Sequence, residues 1–473
     1  MISIDTRLEA TDLGGPLARL FELAGGKIAA IRRSWSRDRG TPVFTVDGVY
    51  TSRGWTEWTR GFLFGLALLH YEATGDGDSL AFGRGGTRSD MPPHLTHMGV
   101  HDHGFNSIST YGNLLRLMEE GALPEDRWER EHCRLALAVS GAVQASRWTE
   151  LPGGLGYIYS FNGPHSLFID TIRTLRVLAL SHVFGHFLMG EQDRRINLLE
   201  RLVRHGLTTA RYNVYYGEGR DAYDVRGRVS HESIFNTVSG SFRCPSSQQG
   251  YSPFTTWTRG LAWSVLGFAE QLEYLSSLPA DAFEGLSAGE AASADRDPSG
   301  EEVRRDVLEL FLRAARACAD FTIEQTPTDG VPYWDTGAPG LARLGEYLDR
   351  PADPENDEEP VDSSAAAITA QGLLRLGAHL DRTGDPGGGE RYTRAGLTIA
   401  RSLFRPPYLS EDEKHQGLLL HSIYHRPNGW DHRQPGRSSP SGESCLWGDY
   451  HALELGVLIR RIAAGGSFTF FDV

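Results

Sequence analysis

The sequence predicts an all-α protein in which helical hairpins close into a toroid. Apolar residues recur at i, i+3, i+4 and i+7 over eleven stretches, and no alternation of strands and helices predicts a parallel sheet. One helix start also repeats, because Trp58-Thr59-Arg60-Gly61 returns as Trp257-Thr258-Arg259-Gly260 and, more loosely, as Trp447-Gly448-Asp449-Tyr450. Since each hairpin has to bury its apolar face against a neighbour, a repeated helix start favours a closed ring.

The periodic stretches define the predicted helices. In chain order these are 14–33, 58–75, 104–120, 126–146, 166–189, 193–212, 257–277, 301–324, 363–381, 388–404 and 445–463. Segment 212–236, rich in Tyr, Val and Gly, predicts a hairpin or a long functional loop. Segments 279–302 and 350–360 are polar and contain Pro among acidic residues, and helical hairpins resume on both sides of each. We therefore expect one catalytic domain over 1–473 with two flexible surface insertions.

The composition narrows the possible partners and location. The 473 residues include 47 basic and 61 acidic ones, and this net charge of −14 argues against nucleic acid or an anionic membrane as a partner. The sequence has no N-terminal signal pattern and no run of 18 apolar residues, which predicts a soluble cytoplasmic protein. Four cysteines without a CxxC pair predict neither disulfides nor zinc, and no feature indicates an oligomeric state.

Two aspartates are candidates for acid and base chemistry. Asp102 lies in His101-Asp102-His103-Gly104 just before a helix, whose N-terminus should lower the pKa of the carboxyl. Asp170 has apolar neighbours on its predicted helix, which should raise its pKa towards the range useful for proton donation. The alternatives are a plain N-cap for Asp102 and an ion pair with Arg173 or Arg176 for Asp170. Two carboxylates in different environments suit acid–base catalysis.

A second cluster suits an acidic sugar. Its members are His231, Gln249, Trp257, Arg259 and Trp263. Tryptophan rings present flat apolar faces to sugar C–H groups, and a guanidinium can hold a carboxylate through two parallel hydrogen bonds. The alternative is core packing around a buried ion pair.

Other motifs give little support to other mechanisms. No GxSxG, Walker, HExxH or GxGxxG motif is present in a suitable context. The histidine run over 94–103 lacks the spacing of metal ligands on one helix face, so neither a metal nor another cofactor is predicted. Ser441 and Ser444 precede the last helix, where their hydroxyls could cap the helix or contact a ligand.

Together these motifs resemble glycoside hydrolase family 88, the unsaturated glucuronyl hydrolases. The resemblance runs from Trp58 to Trp447-Gly448-Asp449-Tyr450, and its most specific parts are the order of residues from His231 to Trp263 and the run Val331-Pro332-Tyr333-Trp334-Asp335. It implies an (α/α)6 barrel with long loops at the site end. It also implies that Asp170 is the catalytic residue and Asp102 the second essential aspartate. The sugar-lining positions that it implies are His231, Gln249, Trp257, Arg259, Trp263 and Trp58.

The reaction that the resemblance implies is the hydration of an enol ether. A polysaccharide lyase leaves a C4=C5 double bond in the terminal uronic acid of an acidic oligosaccharide. Asp170 would protonate C4, water would add at C5, and the rearranging sugar would leave as a 4-deoxy-5-keto uronic acid. Asp102 would orient the site and stabilise the developing charge.

The chain departs from the family pattern in places, and rival functions stay open. Ser441 and Ser444 match two serines that contact sulfated aglycons in part of the family, but Leu446 replaces the lysine of that motif. His103 stands where the family usually has an apolar residue. Arg173 and Arg176 replace a neutral run and could hold a second anionic group, but we expect them to pair with surface acids. The alternatives are an unsaturated rhamnogalacturonyl hydrolase of the family 105 type, a non-catalytic sugar-binding toroid, and an (α/α) epimerase.

Overall fold

The computed structural model describes residues 1–124, 126–286 and 298–471. The α-helices are α1 Gly14–Ser34, α2 Arg60–Thr74, α3 Gly77–Asp90, α4 His103–Ser107, α5 Asn113–Glu119, α6 Arg127–Ser146, α7 Thr171–Thr174, α8 Arg176–Val183, α9 Leu198–Tyr212, α10 Thr258–Ser277, α11 Gly300–Glu324, α12 Ser363–Thr383, α13 Pro386–Leu403 and α14 Leu446–Ala463. A π-helical segment, Ile108–Gly112, joins α4 to α5. Within these ranges, no helix is both long enough and apolar enough to cross a bilayer.

The helices form two concentric layers. The inner layer consists of α2, α4 with α5, α7 with α8, α10, α12 and α14, whose residues are mostly buried. Each inner helix packs on the next around the ring, and α14 returns to α2. The outer helices α1, α3, α6, α9, α11 and α13 cover this ring. The described part of the chain is therefore an (α/α)6 barrel, which confirms the predicted fold class.

Side-chain caps begin several of these helices. Asp126 and Asp362 each accept hydrogen bonds from two backbone N–H groups in the first turns of α6 and α12. Ser299 and Glu302 form a capping box at the start of α11. Such contacts pair N–H groups that have no partner inside their own helix, so these residues fix where each helix begins.

One helix escaped the sequence analysis. Helix α3 carries four glycines in 14 residues, so its apolar periodicity is weak. Gly86 explains part of this composition, because a Cβ at that position would lie 2.0 Å from the ring of Phe64 on α2. Glycine therefore permits the close approach of α3 to α2, and the same glycines hide the helix from a search for periodicity.

The strands are short and lie among the helix connections. They are β1 Pro42–Val46, β2 Val49–Ser52, β3 Trp148–Glu150, β4 Gly156–Ile158, β5 Ser166–Phe168, β6 Leu188–Met189, β7 Arg195–Ile196, β8 Glu232–Phe235 and β9 Phe242–Ser246. The predicted helix over 166–189 is thus wrong, because this segment contains β5, α7, α8 and β6. The predicted hairpin or loop over 212–236 is mostly loop, with a bridge between Val214 and Val229 and with β8 at its end.

A three-stranded antiparallel sheet of order β5-β8-β9 supports one side of the barrel mouth. Asp170 follows β5 by two residues, and His231 immediately precedes β8. The backbone N–H of Ile169 donates to the carbonyl of His231 at 3.0 Å, which extends the pairing of the two strands. The sheet therefore brings together two residues that are 61 positions apart in sequence.

The two segments interpreted as surface insertions differ from each other. Of 279–302, residues 287–297 lie outside the described residues, and Gly300 already begins α11. Segment 350–360 contains no helix or strand, yet Glu359 is buried and accepts hydrogen bonds at 2.8 Å from Nε1 of Trp334 and from the backbone N–H of Gly340. The second segment is therefore anchored to the barrel near its end.

Candidate active site

A cavity of about 870 Å³ lies at the N-terminal ends of the inner helices. Trp58, Asp102, Asp170 and Trp257 line it, and each stands one or two residues before an inner helix begins. The cavity is lined by Arg53, Gly54, Trp55, Glu57, Trp58, His97, Gly99, Val100, His101, Asp102, Phe105, Phe161, Asp170, Gln248, Gln249, Trp257, Arg259, Trp263, Tyr424, His425, Asn428 and Trp430. Because helix N-termini carry partial positive charge, this end of the ring favours an anionic ligand.

Asp102 and Asp170 both reach this cavity, and His101 joins them. The Nε2 atom of His101 is 3.1 Å from Oδ1 of Asp170 and 3.6 Å from Oδ1 of Asp102. Both aspartates occupy N-cap positions, of α4 and α7, but neither side chain accepts a hydrogen bond from its helix. Each is only 7% exposed. The Asp102 carboxylate therefore does not cap its helix, and the Asp170 carboxylate does not pair with Arg173 or Arg176.

The two carboxyls differ in pKa, in the order opposite to the predicted one. Burial raises the pKa of Asp102 to about 6, opposed by His101 and assisted by the charge of Asp170. Burial also acts to raise the pKa of Asp170, but the hydrogen bond with His101 and the charges of His101 and Arg259 outweigh it and lower that pKa. Burial acts to lower the pKa of His101, but the charge of Asp102 and the hydrogen bond and charge of Asp170 outweigh it and raise that pKa. Of the two carboxyls, Asp102 therefore binds a proton more tightly, and the imidazole between them stays protonated.

His231 is neutral and buried beside Asp170. Its Nδ1 accepts hydrogen bonds from the backbone N–H groups of Gln248, at 2.9 Å, and Gln249, at 3.3 Å. The ring proton is therefore on Nε2, a buried atom that has no hydrogen-bond partner in the described part of the chain. Burial lowers the pKa of His231 to about 4. The histidine is not among the residues lining the cavity, and it packs edge-on against Trp257.

Arg259 is held by the protein itself. Its Nη1 donates to Oδ2 of Asp362 at 2.7 Å, and its Nη2 donates to Oε1 of Gln249 at 3.1 Å. Both nitrogens also donate to backbone carbonyls of segment 423–424, and two tryptophan rings lie 4.7 and 5.0 Å from Cζ. Both terminal nitrogens of Arg259 thus donate to acceptors of the protein, and the binding of a sugar carboxylate by this guanidinium stays a prediction. The alternative, a buried ion pair, is what the structure shows, and Arg259 orients Gln249 on the cavity wall.

The three predicted tryptophans lie on the cavity wall. Trp58 packs against Trp447 with ring centroids 5.1 Å apart, and Trp263 packs against Phe105 at 4.8 Å. Trp257 is held between His231 and the guanidinium of Arg259. Buried neighbours fix these rings, so the wall offers preformed apolar faces of the kind that sugar C–H groups contact.

The rim of the cavity was not predicted from the sequence. Arg53, Trp55 and Trp430 lie there together with three residues of 424–428. Trp55 is 91% exposed and adopts a φ of +68°, which is uncommon for a bulky residue. The position of Trp55, three residues before Trp58, could have indicated from the sequence that Trp55 lies near the cavity. Segment 424–430 shows no apolar periodicity. The tertiary fold, and not a local pattern, places it at the mouth of the cavity.

Ser441 and Ser444 do not line this cavity. The Ser444 hydroxyl is fully buried and donates to the carbonyl of Leu419 at 2.7 Å. Ser441 donates to Oε2 of Glu355 at 3.3 Å. Neither hydroxyl caps α14, whose N-cap is Cys445 without a side-chain cap. The capping role is therefore wrong for both serines, whereas a contact of their hydroxyls with a ligand stays a prediction.

The residues that depart from the family pattern are structural. Arg173 and Arg176 are buried in the ring and paired with Glu270 and Glu454, so the expected pairing with surface acids is wrong. His103 is also buried, with Nδ1 2.9 Å from the Ser140 hydroxyl and Nε2 2.9 Å from the carbonyl of His97. These side chains face the interior between helices and not the cavity.

Comparison with known proteins gives relatives over most of the chain, although no family model matches it. It is 27% identical over 440 residues to an unsaturated glucuronyl hydrolase of Bacillus sp. strain GL1, covering 90% of this chain and 93% of that protein. It is 24% identical over 449 residues to an unsaturated chondroitin disaccharide hydrolase of Streptococcus pyogenes serotype M1, covering 93% and 90%.

A solved structure has the same fold. The crystal structure of an unsaturated glucuronyl hydrolase specific for heparin superposes with a TM-score of 0.68 at 19% identity, covering 93% of this chain and 96% of that one. Across about nine-tenths of its length, this chain is thus similar in sequence and in fold to the unsaturated glucuronyl hydrolases.

Proposed function

We propose that the protein is an unsaturated glucuronyl hydrolase that removes a terminal 4,5-unsaturated uronic acid from lyase-generated oligosaccharides. One observation carries the proposal: two buried carboxylates share a histidine on a tryptophan-lined cavity, at helix ends that favour an anion. The similarity to enzymes of this activity supports it. Membership of family 88 and a cytoplasmic location are part of the same proposal and rest on the sequence.

The proposed reaction uses Asp170 twice. Its carboxyl proton passes to C4 of the sugar, the C4=C5 π electrons form the new C–H bond, and positive charge develops at C5 and the ring oxygen. A water oxygen then bonds to C5, while one of its protons returns to the Asp170 carboxylate. The hemiketal opens to a ketone at C5, and the hemiacetal formed at C1 releases the aglycon. No oxidant, reductant or cofactor is required for this balance.

The coupled carboxyls supply the proton for this first step. Of the two carboxyls in the free protein, Asp102 binds a proton more readily, because its pKa is about 6 and that of Asp170 is lowered. A bound uronate brings a second negative charge into the cavity, which disfavours the ionised form of Asp170 and raises its pKa. Substrate binding thereby moves the proton towards the residue that donates it.

The function is tested by the absorbance of the unsaturated uronate. Disaccharides from chondroitin, hyaluronan, heparin, gellan and pectin are incubated with the protein, and the loss of the C4=C5 absorbance band is followed. Loss with glucuronate-type substrates supports the proposal. Loss with the pectin fragment alone would support a rhamnogalacturonyl hydrolase instead. Constant absorbance with every substrate would contradict hydration and leave a binding protein or an epimerase.

The pH profile gives a further prediction. The donor form of the coupled carboxyls is the protonated one, which is lost as pH rises through the pKa of about 6 of Asp102. We therefore expect kcat/KM to fall above about pH 6, approaching a tenfold loss for each pH unit beyond it. In Asp102→Asn, which lacks this titrating group, the residual activity should lose the limb near pH 6. A limb that stays in place in that variant would contradict the assignment.

A further inference from the structure

A second groove continues from the mouth of the cavity. It measures about 590 Å³, and its lining includes Arg53, Trp430, Asp431, His432, Arg433 and Arg437. Arg53 and Trp430 also line the 870 Å³ cavity, so the two spaces share a wall. A sugar attached to one seated in the cavity can therefore extend into the groove at this border.

The shared wall is an arginine stacked on a tryptophan. The guanidinium of Arg53 lies 4.2 Å from the ring centroid of Trp430. Trp430 in turn packs against His425, with ring centroids 4.7 Å apart, and against Tyr424 at 5.3 Å. Stacking restricts the guanidinium to one plane while its N–H groups stay free for a ligand. In the described part of the chain, Arg53 makes no ion pair.

The other charges of the groove leave Arg433 as a second unpaired cation. Arg437 is neutralised, because its Nε lies 3.0 Å from Oδ1 of Asp357 and its Nη2 lies 3.4 Å from Oε2 of Glu355. His432 lies 3.2 Å from Oδ1 of Asp47. Arg433 is exposed and makes no ion pair within the described ranges.

Asp431, which also lines the groove, forms no ion pair with Arg53 or Arg433 among the described residues. Its Oδ1 accepts a hydrogen bond from the backbone N–H of Tyr424 at 2.5 Å, and its Oδ2 accepts one from the backbone N–H of His425 at 3.1 Å. The carboxylate thus serves to hold the loop that carries Trp430. In a chain of net charge −14, two unpaired arginines beside the cavity mouth form a local positive field.

We propose that Arg53 and Arg433 bind an anionic group, a sulfate ester or a carboxylate, on the aglycon side of the scissile bond. This inference rests on the proposed function and adds the substrate class to it. It assigns selectivity for a charged aglycon to these arginines and not to Ser441 and Ser444, which line neither the cavity nor the groove. Planar guanidinium groups suit both anions, since each presents two oxygens to a pair of parallel N–H donors.

The experiment compares substrates with and without an additional anion on the aglycon side. Unsaturated chondroitin disaccharide is assayed with and without a 6-sulfate, and an unsaturated hyaluronan tetrasaccharide, whose third sugar carries a carboxylate, is assayed against the disaccharide. In Arg53→Gln/Arg433→Gln we expect at least one of the two kcat/KM ratios to fall about tenfold. A fall in the sulfate ratio identifies sulfate as the ligand, and a fall in the tetrasaccharide ratio identifies a carboxylate.

Two further variants serve as controls. Arg433→Lys keeps the positive charge, so it should retain part of the preference for the anionic substrate that the double variant loses. Arg39→Gln is the matched control, because Arg39 is exposed and stacked 4.8 Å over Trp35 but lies outside both spaces. It should leave both ratios unchanged. Ratios within twofold of the wild type in the double variant would overturn the inference.

A binding measurement separates failure of the proposed function from failure of the proposal that the groove binds an anion. Binding of a saturated 6-sulfated chondroitin disaccharide, which contains no double bond to hydrate, is measured by calorimetry against its unsulfated form, and a saturated hyaluronan tetrasaccharide is measured against its disaccharide. If no unsaturated substrate is consumed, the function fails, and the groove is judged on binding alone. Tighter binding of at least one anionic member, lost in the double variant, supports it. Equal binding within both pairs contradicts it.

Discussion

Asp170→Asn is expected to lower kcat by about 10³-fold or more, while the Kd for an unsaturated disaccharide stays within about tenfold of the wild type. The amide has the shape of the carboxyl and can still contact Nε2 of His101, but it has no acidic proton for C4 and cannot take one back from water. Turnover is followed by the loss of absorbance of the unsaturated uronate, and affinity is followed by calorimetry.

The control for this prediction is another N-cap aspartate. Asp126 begins α6 with a side-chain cap and does not line the cavity, and asparagine caps helices about as well as aspartate. Asp126→Asn should therefore retain the kcat of the wild type. An Asp170→Asn protein that turns over substrate at a comparable rate would remove the mechanism. A wild-type protein that binds the sugar without consuming it would show a binding toroid instead.

The sequence predicted the barrel because each inner helix has to be apolar on most faces. Periodicity located α2, α6, α10, α12 and α14 within a few residues of their ends. It failed where a different local constraint operated. Glycines that admit Phe64 obscured α3, and the apolar run before Asp170 proved to be strand β5, since short buried strands and helix turns share the same composition.

The sequence indicated part of the cavity lining and not its electrostatics. Asp102, Asp170, Trp58 and Trp257 lie on one cavity, because each stands one or two residues before an inner helix. Their pKa order was reversed, since the hydrogen bond from His101 to Asp170 depends on tertiary geometry and not on neighbours in sequence. Arg259 finds its carboxylate at Asp362, 103 residues away, which no local pattern could indicate.

The second large effect concerns the charges buried inside the ring. Arg173 lies with Nη1 2.9 Å from Oε2 of Glu270 and Nη2 3.2 Å from Oε2 of Glu454. Arg176 approaches the same two glutamates at 3.5 and 3.8 Å. All four side chains are at most 1% exposed, so any charge left without a partner has to remain away from water.

We expect Glu454→Ala to lower the free energy of unfolding by about 3 to 5 kcal/mol. The variant leaves three arginines, Arg173, Arg176 and Arg375, to share Glu270 and Glu273. A guanidinium cannot discharge by losing its proton. Arg173→Ala should cost less, because burial already raises the pKa of Glu270 to about 7, so that this carboxyl can bind a proton near neutral pH. Denaturant titration of both variants measures the difference.

Glu22→Ala is the matched comparison, since Glu22 is 70% exposed and paired with Arg19 on the surface. Surface pairs contribute about 1 kcal/mol or less, so a Glu454→Ala protein no less stable than Glu22→Ala would contradict the role of the cluster.

The cluster also bears on catalysis. Arg173 is on α7, three residues after Asp170, so releasing the guanidinium from its glutamates frees the turn that aims the Asp170 carboxyl at the cavity. Glu454→Ala should therefore lose kcat even at temperatures where it remains folded.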